Sequence, residues 1–357
     1  MKKFEIAVIP GDGIGREVVP AGRSVLDTVA EVHGGFRFAY RTYPWSCAYY
    51  LRHGRMMPED GLARLADSDA IFLGAVGFPG VPDHVSLWGL LIPIRRGFEQ
   101  YACVRPVKLL PGVRSPLAER SPQEIDFIVV RENNEGEYSS MGGRIYSGTP
   151  HEVVTQLNVF TRRGTERIVR YAFELARRKG KKKVTSATKS NGIIFSMPFW
   201  DEVFWEVAKG YPGIAAEQMH IDALAARFVT HPHSFGVVVG SNLFGDILTD
   251  LGAAIAGSIG IGASANLNPE RKHPSCFEPV HGSAPDIVGK GIANPLGQIW
   301  SGALMLEHLG YPRAHDLVIE AMAAVLRAGV KTPDLGGRAT TRQVAQAVVR
   351  EIRARAG

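Results

Sequence analysis

Short apolar runs ending in glycine or polar turns alternate with segments of helical period through the first hundred residues. That alternation restricts the chain to an α/β architecture. Residues 4–9 read as a strand running into Gly11, Gly13 and Gly15. Beyond them Val18, Val25, Val29 and Val32 recur near the helical period. Residues 36–42 read as a second strand, 60–67 as a short helix and 70–73 as a third strand. Such an order places helices over a mainly parallel sheet. The middle of the chain predicts strands at 125–130, 184–187 and 237–239 and helices at 164–179 and 197–208. The tail returns to helices, with Thr340 and Gln343 at capping-box spacing ahead of Val344, Ala347, Val348 and Ile352 on one face. No fixed-period repeat and no flexible linker interrupts this pattern.

With 357 residues, 45% apolar and 21% charged, the chain is long enough for two domains around a large core. Its net charge of +6 is mild for that size and does not require a nucleic-acid partner. The basic run at 177–183 reads as the last turn of a helix ended by Gly180, with no aromatics interleaved for base stacking. The apolar run at the N-terminus is too short for a signal peptide and reads as a first strand. Residues 251–269 are uncharged, but they are rich in Gly, Ala and Ser and read as close-packed backbone, not a membrane span. Cys47, Cys103 and Cys276 lie far apart and form no disulfide framework. The expectation is a cytoplasmic protein with neither membrane nor nucleic acid as a partner.

The glycines after the first strand suggest a dinucleotide loop, but G-x-G-x-x-G fails in both registers, at Arg16 and at Val18. A standard Rossmann domain is therefore not supported. Asp246 and Asp250 follow a buried strand at one-turn spacing, which on a helix puts both on one face. Such oxygen ligands suit Mg²⁺ or Mn²⁺. Spacing alone fits a solvated acidic face equally well. Asp222, just after another strand, reads by itself as a helix cap. Arg95, Arg105 and Arg131 lie near element ends, and their forks would match carboxylates if they converged. Taken singly, each reads as a surface residue, and Arg96 is an ambiguous neighbour of Arg95. Tyr138 stands in a dense polar stretch and Lys189 follows a strand. In a closed site such a pair can exchange protons, whereas alone they read as an interfacial tyrosine and a solvated lysine.

Five strings in this order carry a resemblance: IPGDGIG (9–15), VRENNEGEYS (130–139), SATKSN (186–191), SNLFGDILTDLG (241–252) and EPVHGSAPDIVGKGIANP (278–295). Over nearly its whole length the chain resembles the metal-dependent β-decarboxylating dehydrogenases, the isocitrate and 3-isopropylmalate dehydrogenase family. The resemblance implies a two-domain α/β/α fold that is not a standard Rossmann fold. One domain would combine residues 1–100 with 260–357 and bind the cofactor. The other, 101–259, would hold substrate and metal and supply the contact of a homodimer with shared active sites. It also implies Arg95, Arg105 and Arg131 on the substrate carboxylates, Tyr138 as general acid and Lys189 of the partner subunit as general base. Asp222, Asp246 and Asp250 become carboxylates for Mg²⁺ or Mn²⁺, with Asp222 from the partner subunit. His281, Gly282, Ser283, Ala284, Asp286 and Asn294 become an NAD segment, and a monovalent cation such as K⁺ is admitted as a further cofactor.

The family oxidises a 2-hydroxy acid and then expels its β-carboxylate. The segment 86–95 lacks the glutamate that frames the isopropyl pocket near Trp88 in isopropylmalate enzymes. It also lacks the serine and asparagine with which isocitrate enzymes hold a third carboxylate. Both departures point to a C4 hydroxy diacid, D-malate or tartrate, while the apolar Leu91 and Ile92 keep 3-isopropylmalate as the alternative. A non-catalytic regulatory subunit would have lost metal or proton-transfer residues, and this chain keeps Tyr138, Lys189 and all three aspartates.

Overall fold

The structure is a computed structural model and describes residues 1–118 and 120–356. Strand β1 (Lys2–Gly11) enters the glycine turn, and helix α1 (Gly15–His33) leaves it. Gly11 and Gly13 have φ of +71° and +52°. A Cβ at Gly11 would strike the Ala75 carbonyl, and one at Gly13 the Ser283 carbonyl. The turn thus serves close packing against two other segments. Asp12 is buried and accepts from the backbone N–H of Cys47 at 2.8 Å and of Gly77 at 3.3 Å.

The chain continues through β2 (Phe36–Thr42), α2 (Cys47–His53), α3 (Gly61–Ala66) and β3 (Ala70–Ala75). A short helix α4 (Asp83–Ser86), a π-helical turn at Leu87–Leu91 and α5 (Ile92–Gly97) lead to β4 (Ala102–Lys108) and β5 (Asp126–Glu132). An exposed hairpin, β6 (Gly142–Ile145) and β7 (Val153–Gln156), projects before α6 (Arg162–Arg178), β8 (Lys183–Thr188), α7 (Ser196–Ala208) and β9 (Ala215–His220). Then follow α8 (Ile221–Thr230), β10 (Val237–Gly240), α9 (Asn242–Ile255), β11 (Ala263–Leu267) and β12 (Ser275–Pro279). Three helices close the chain: α10 (Leu296–His308), α11 (Pro312–Arg327) and α12 (Thr341–Ala356). The expected capping box forms at the start of α12, with Thr340 N–H donating to Gln343 Oε1 and Gln343 N–H to Thr340 Oγ1. Gly180 ends α6 in the left-handed region, and Lys179, Lys181 and Lys183 of the basic run all have acidic partners.

Ten strands form one sheet in the order β2-β1-β3-β12-β11-β4-β5-β10-β8-β9. The first four are mutually parallel, and so are the last four. Between them β12-β11-β4-β5 pair antiparallel. The sheet is therefore two parallel halves joined back to front, which is not the order of a standard Rossmann sheet. Residues 251–269 divide into the end of α9, a loop and β11, whose five residues are all buried. Register fixes what each face of the join carries. Glu278 pairs with Ser264, Ala265 with Val104, and Cys103 with Arg131. Glu278, Ser264, Arg105 and Arg131 therefore share one face, while Val104, Pro106, Ile128 and Ala265 share the other.

Candidate active site

The three arginines are buried, contrary to the surface reading of each taken singly. Arg95 comes from the last turn of α5, Arg105 from the middle of β4 and Arg131 from the end of β5. With Tyr138, Asp246, Glu278, His281 and Gly282 they line a cavity of about 190 Å³, closed by Leu87 and Leu91 of the π-helical turn. Their burial is compensated by specific partners. Arg95 Nη2 donates to Glu278 Oε1 at 2.9 Å. Arg105 Nη1 donates to Thr249 Oγ1 at 2.5 Å and to Asp246 Oδ1 at 3.4 Å, and its Nε to Ser264 Oγ at 3.3 Å. Arg131 gives Nε and Nη2 to Asn242 Oδ1 and pairs through Nη1 with Asp246. Gly245 lets α9 approach this closely, because a Cβ there would meet the Arg131 side chain at 2.5 Å.

Helix α9 confirms the one-face reading of Asp246 and Asp250 and adds Asn242 one turn earlier. The Tyr138 hydroxyl donates to Asp246 Oδ2 at 2.8 Å. Burial opposes ionisation of Asp246, yet the Arg131 and Arg105 guanidiniums hold its carboxyl below the ordinary value. Asp250 is more exposed, lies 3.8 Å from Arg105, and is raised by burial and by the Asp246 charge. Burial, and then the Asp246 charge, raise the Tyr138 phenol, so it stays protonated near neutrality. Arg96, ambiguous in the sequence, donates to the Tyr138 carbonyl at 2.5 Å and the Asn134 carbonyl at 3.3 Å, and lies over the Trp88 ring.

Lys189 and Asp222 are not in this cavity. Lys189 Nζ pairs with Asp222 Oδ1 at 2.9 Å, and Asp222 sits in the first turn of α8, not at its cap. Among the described residues no cluster of three His, Cys, Asp or Glu side chains is arranged to hold a metal ion. Asp246, which lines the cavity, and Asp250, one turn further along α9 and 3.8 Å from Arg105, offer hard carboxylate oxygens suited to Mg²⁺ or Mn²⁺. Charge points the same way. Three guanidiniums face Asp246, Asp250 and Glu278, and a divalent cation would leave the surplus that a dicarboxylate dianion complements.

The segment after β12 reaches the same cavity. His281 is buried, its Nδ1 lies 3.0 Å from the Gly282 carbonyl, and its Nε2 has no partner. Burial lowers this imidazole, which keeps it neutral. The Ser283 carbonyl accepts from Ile14 N–H, Ala284 has positive φ, Asp286 is exposed, and Asn294 donates to Asp334. An open Gly282 beside an unpartnered ring nitrogen fits a bound cofactor edge. The sequence reading gave no role to Glu278, Asn242, Ser264 or Thr249. Only Asn242 carried a local signal, its i,i+4 spacing to Asp246; the others reach the site through strand register or a buried contact.

The isocitrate/isopropylmalate dehydrogenase family matches residues 5–348, and the chain belongs to that family. It is 57% identical over 359 residues to the D-malate dehydrogenase (decarboxylating) of Escherichia coli (strain K12), covering 99% of each chain. It is 56% identical over 353 residues to the tartrate dehydrogenase/decarboxylase of Pseudomonas putida, covering 97% of this chain and 96% of that one. Isocitrate dehydrogenase from Methylococcus capsulatus, a crystal structure, matches with a TM-score of 0.88 at 35% identity, over 99% of this chain and 100% of that chain. The expected α/β fold is thereby confirmed.

Proposed function

We propose that the chain is a decarboxylating dehydrogenase acting on a C4 2-hydroxy diacid, D-malate or tartrate, with NAD⁺ as the oxidant. The observation that carries this reading is the convergence of three buried guanidiniums on a small cavity beside a protonated tyrosine. Arg95, Arg105 and Arg131 bind the two substrate carboxylates. Asp246 and Asp250, with Asp222 of the partner subunit, would hold Mg²⁺ or Mn²⁺, which when bound would supply Lewis-acid polarisation of the substrate oxygen. His281, Gly282, Ser283, Ala284, Asp286 and Asn294 would hold NAD⁺, which when bound would supply the acceptor for the C2 hydride. Lys189 of the partner subunit takes the hydroxyl proton, directly or through water. The β-carboxylate of the oxo acid then departs as CO₂. Tyr138 delivers a proton to the remaining carbon, giving pyruvate from D-malate. With tartrate, oxidation can stop at the oxo acid.

This reading requires a homodimer. The hairpin exposes Ile145, Val153 and Val154, and Ile194, Phe195 and Ile247 are exposed elsewhere, surfaces that a second copy would cover. It divides the chain into 1–100 with 260–357 for cofactor and 101–259 for substrate, metal and dimer contact. A monovalent cation such as K⁺ belongs to the same proposal. A cytoplasmic location fits the three buried free thiols, and no helix among the described residues is long and apolar enough to cross a membrane.

NADH formation with D-malate, L-tartrate and 3-isopropylmalate tests the substrate. D-malate or tartrate should give the highest kcat/KM; a clear preference for 3-isopropylmalate would reverse the assignment. EDTA should abolish turnover, and Mn²⁺ or Mg²⁺ should restore it.

A further inference from the structure

The substrate cavity occupies only one face of the central strands. The opposite face of β4, β5 and β11 floors a second and larger cavity, of about 610 Å³, between α6 on one side and α10 and α11 on the other. Its floor is Val104, Pro106, Ile128, Ala265 and Leu267, and its walls include Leu175, Trp300 and Leu304. This size and apolar lining are those of a small-molecule site. The rim is basic. Lys179 is paired with Glu307, and Lys181 and Lys108 share Asp126. Arg178 and Arg271 also line the cavity, both exposed, and neither has a carboxylate partner among the described residues. His308 lines it as well, and burial, then Arg271, lowers its imidazole to about 4, so it adds no charge at neutral pH.

We propose that this rear cavity is a second ligand site, for a carboxylate carrying an apolar body. The body lies on the strand floor and the head group meets Arg178 and Arg271, whose forks suit a carboxylate. The site is coupled to the substrate cavity because a single layer of strand separates them. Arg105 faces the substrate cavity, while its neighbours Val104 and Pro106 face the rear one. Close-packed interiors transmit strain, so a ligand seated behind β4 and β5 shifts the backbone that aims Arg105 and Arg131.

Octanoate is the probe, titrated calorimetrically into the full chain. Acetate supplies the head group alone and octanol the apolar body alone. Octanoate should saturate one site per chain, and acetate and octanol at the same concentration should not. Arg178→Glu with Arg271→Glu, and separately Leu304→Gln, should each weaken octanoate binding at least about ten-fold; unchanged affinity in these variants, or absence of octanoate binding to the parent, overturns the site. The coupling rests on the proposed activity and is read separately. Saturating octanoate should change KM for D-malate at least about five-fold, the lower end of ordinary allosteric coupling. An unchanged KM would overturn the coupling. An enzyme inactive on both D-malate and tartrate would refute the functional reading and leave the calorimetric result standing.

Discussion

Two side chains outside the substrate contacts give residue-scale tests. Glu132 is almost fully buried; its Oε2 accepts from the backbone N–H groups of Asn134 and Glu135, and its Oε1 has no partner. Burial raises its carboxyl to about 7, with Arg167 too distant, at 3.9 Å, to offset this. The folded state then holds a proton that the unfolded chain releases from its ordinary value of 4.5 upward. Stability from this group is full below that value and is lost as pH rises through about 7. The loss is on the order of 1–3 kcal/mol. Glu132→Gln should therefore gain thermal stability relative to the parent between pH 5 and pH 8, measured as Tm; a constant difference would show that Glu132 does not titrate there. Arg96 forks between the Tyr138 and Asn134 carbonyls and so sets where the phenol sits. Arg96→Met should lower kcat roughly ten- to hundred-fold, the cost of misplacing a reacting group, with KM for D-malate little changed because Arg95, Arg105 and Arg131 are untouched. A rise in KM at constant kcat would make Arg96 a substrate contact.

Among the elements, those legible in the sequence were those whose cause is local. The α12 start followed from Thr340 and Gln343, and the α9 face from the spacing of Asp246 and Asp250. Thr340→Ala should remove the bond from Gln343 N–H to Thr340 Oγ1 and cost about 1 kcal/mol, readable as a lower Tm with unchanged activity. The burial of Arg105 was not legible. It depends on β4 lying between its successor β5 and β11, a strand contributed from a distant part of the chain, and a strand containing Pro106 and a central arginine has no clean alternation of its own. β11 was hidden for a related reason: its small residues give no period, and only pairing on both sides makes Ala263–Leu267 a strand. The motif residues were readable as a set, but their convergence on one face is a property of register.

At the scale of the molecule, Lys189 and Asp222 pair with each other and lie apart from the cavity that holds Tyr138. The active site proposed here is complete only when a second copy contributes them. Tyr138→Phe and Lys189→Met homodimers should each lose activity by about 10²–10⁴-fold. Mixing them under conditions of subunit exchange should restore NADH formation, because each mixed dimer then contains one site with both residues intact. No recovery after verified exchange would place both residues in the same subunit's site.

Arg105 and Arg131, the cations expected to grip the carboxylates, stand on strands hydrogen-bonded within the central sheet. The side chains that close the cavity, Leu87 and Leu91, stand on one short π-helical turn. Two of the three gripping cations thus stand on the sheet, while the closing side chains stand on the turn that leads into α5 and Arg95. A lineage built on this plan can change which diacid it accepts by altering a few positions on that turn. The anion-holding frame would pass unchanged from one substrate to the next.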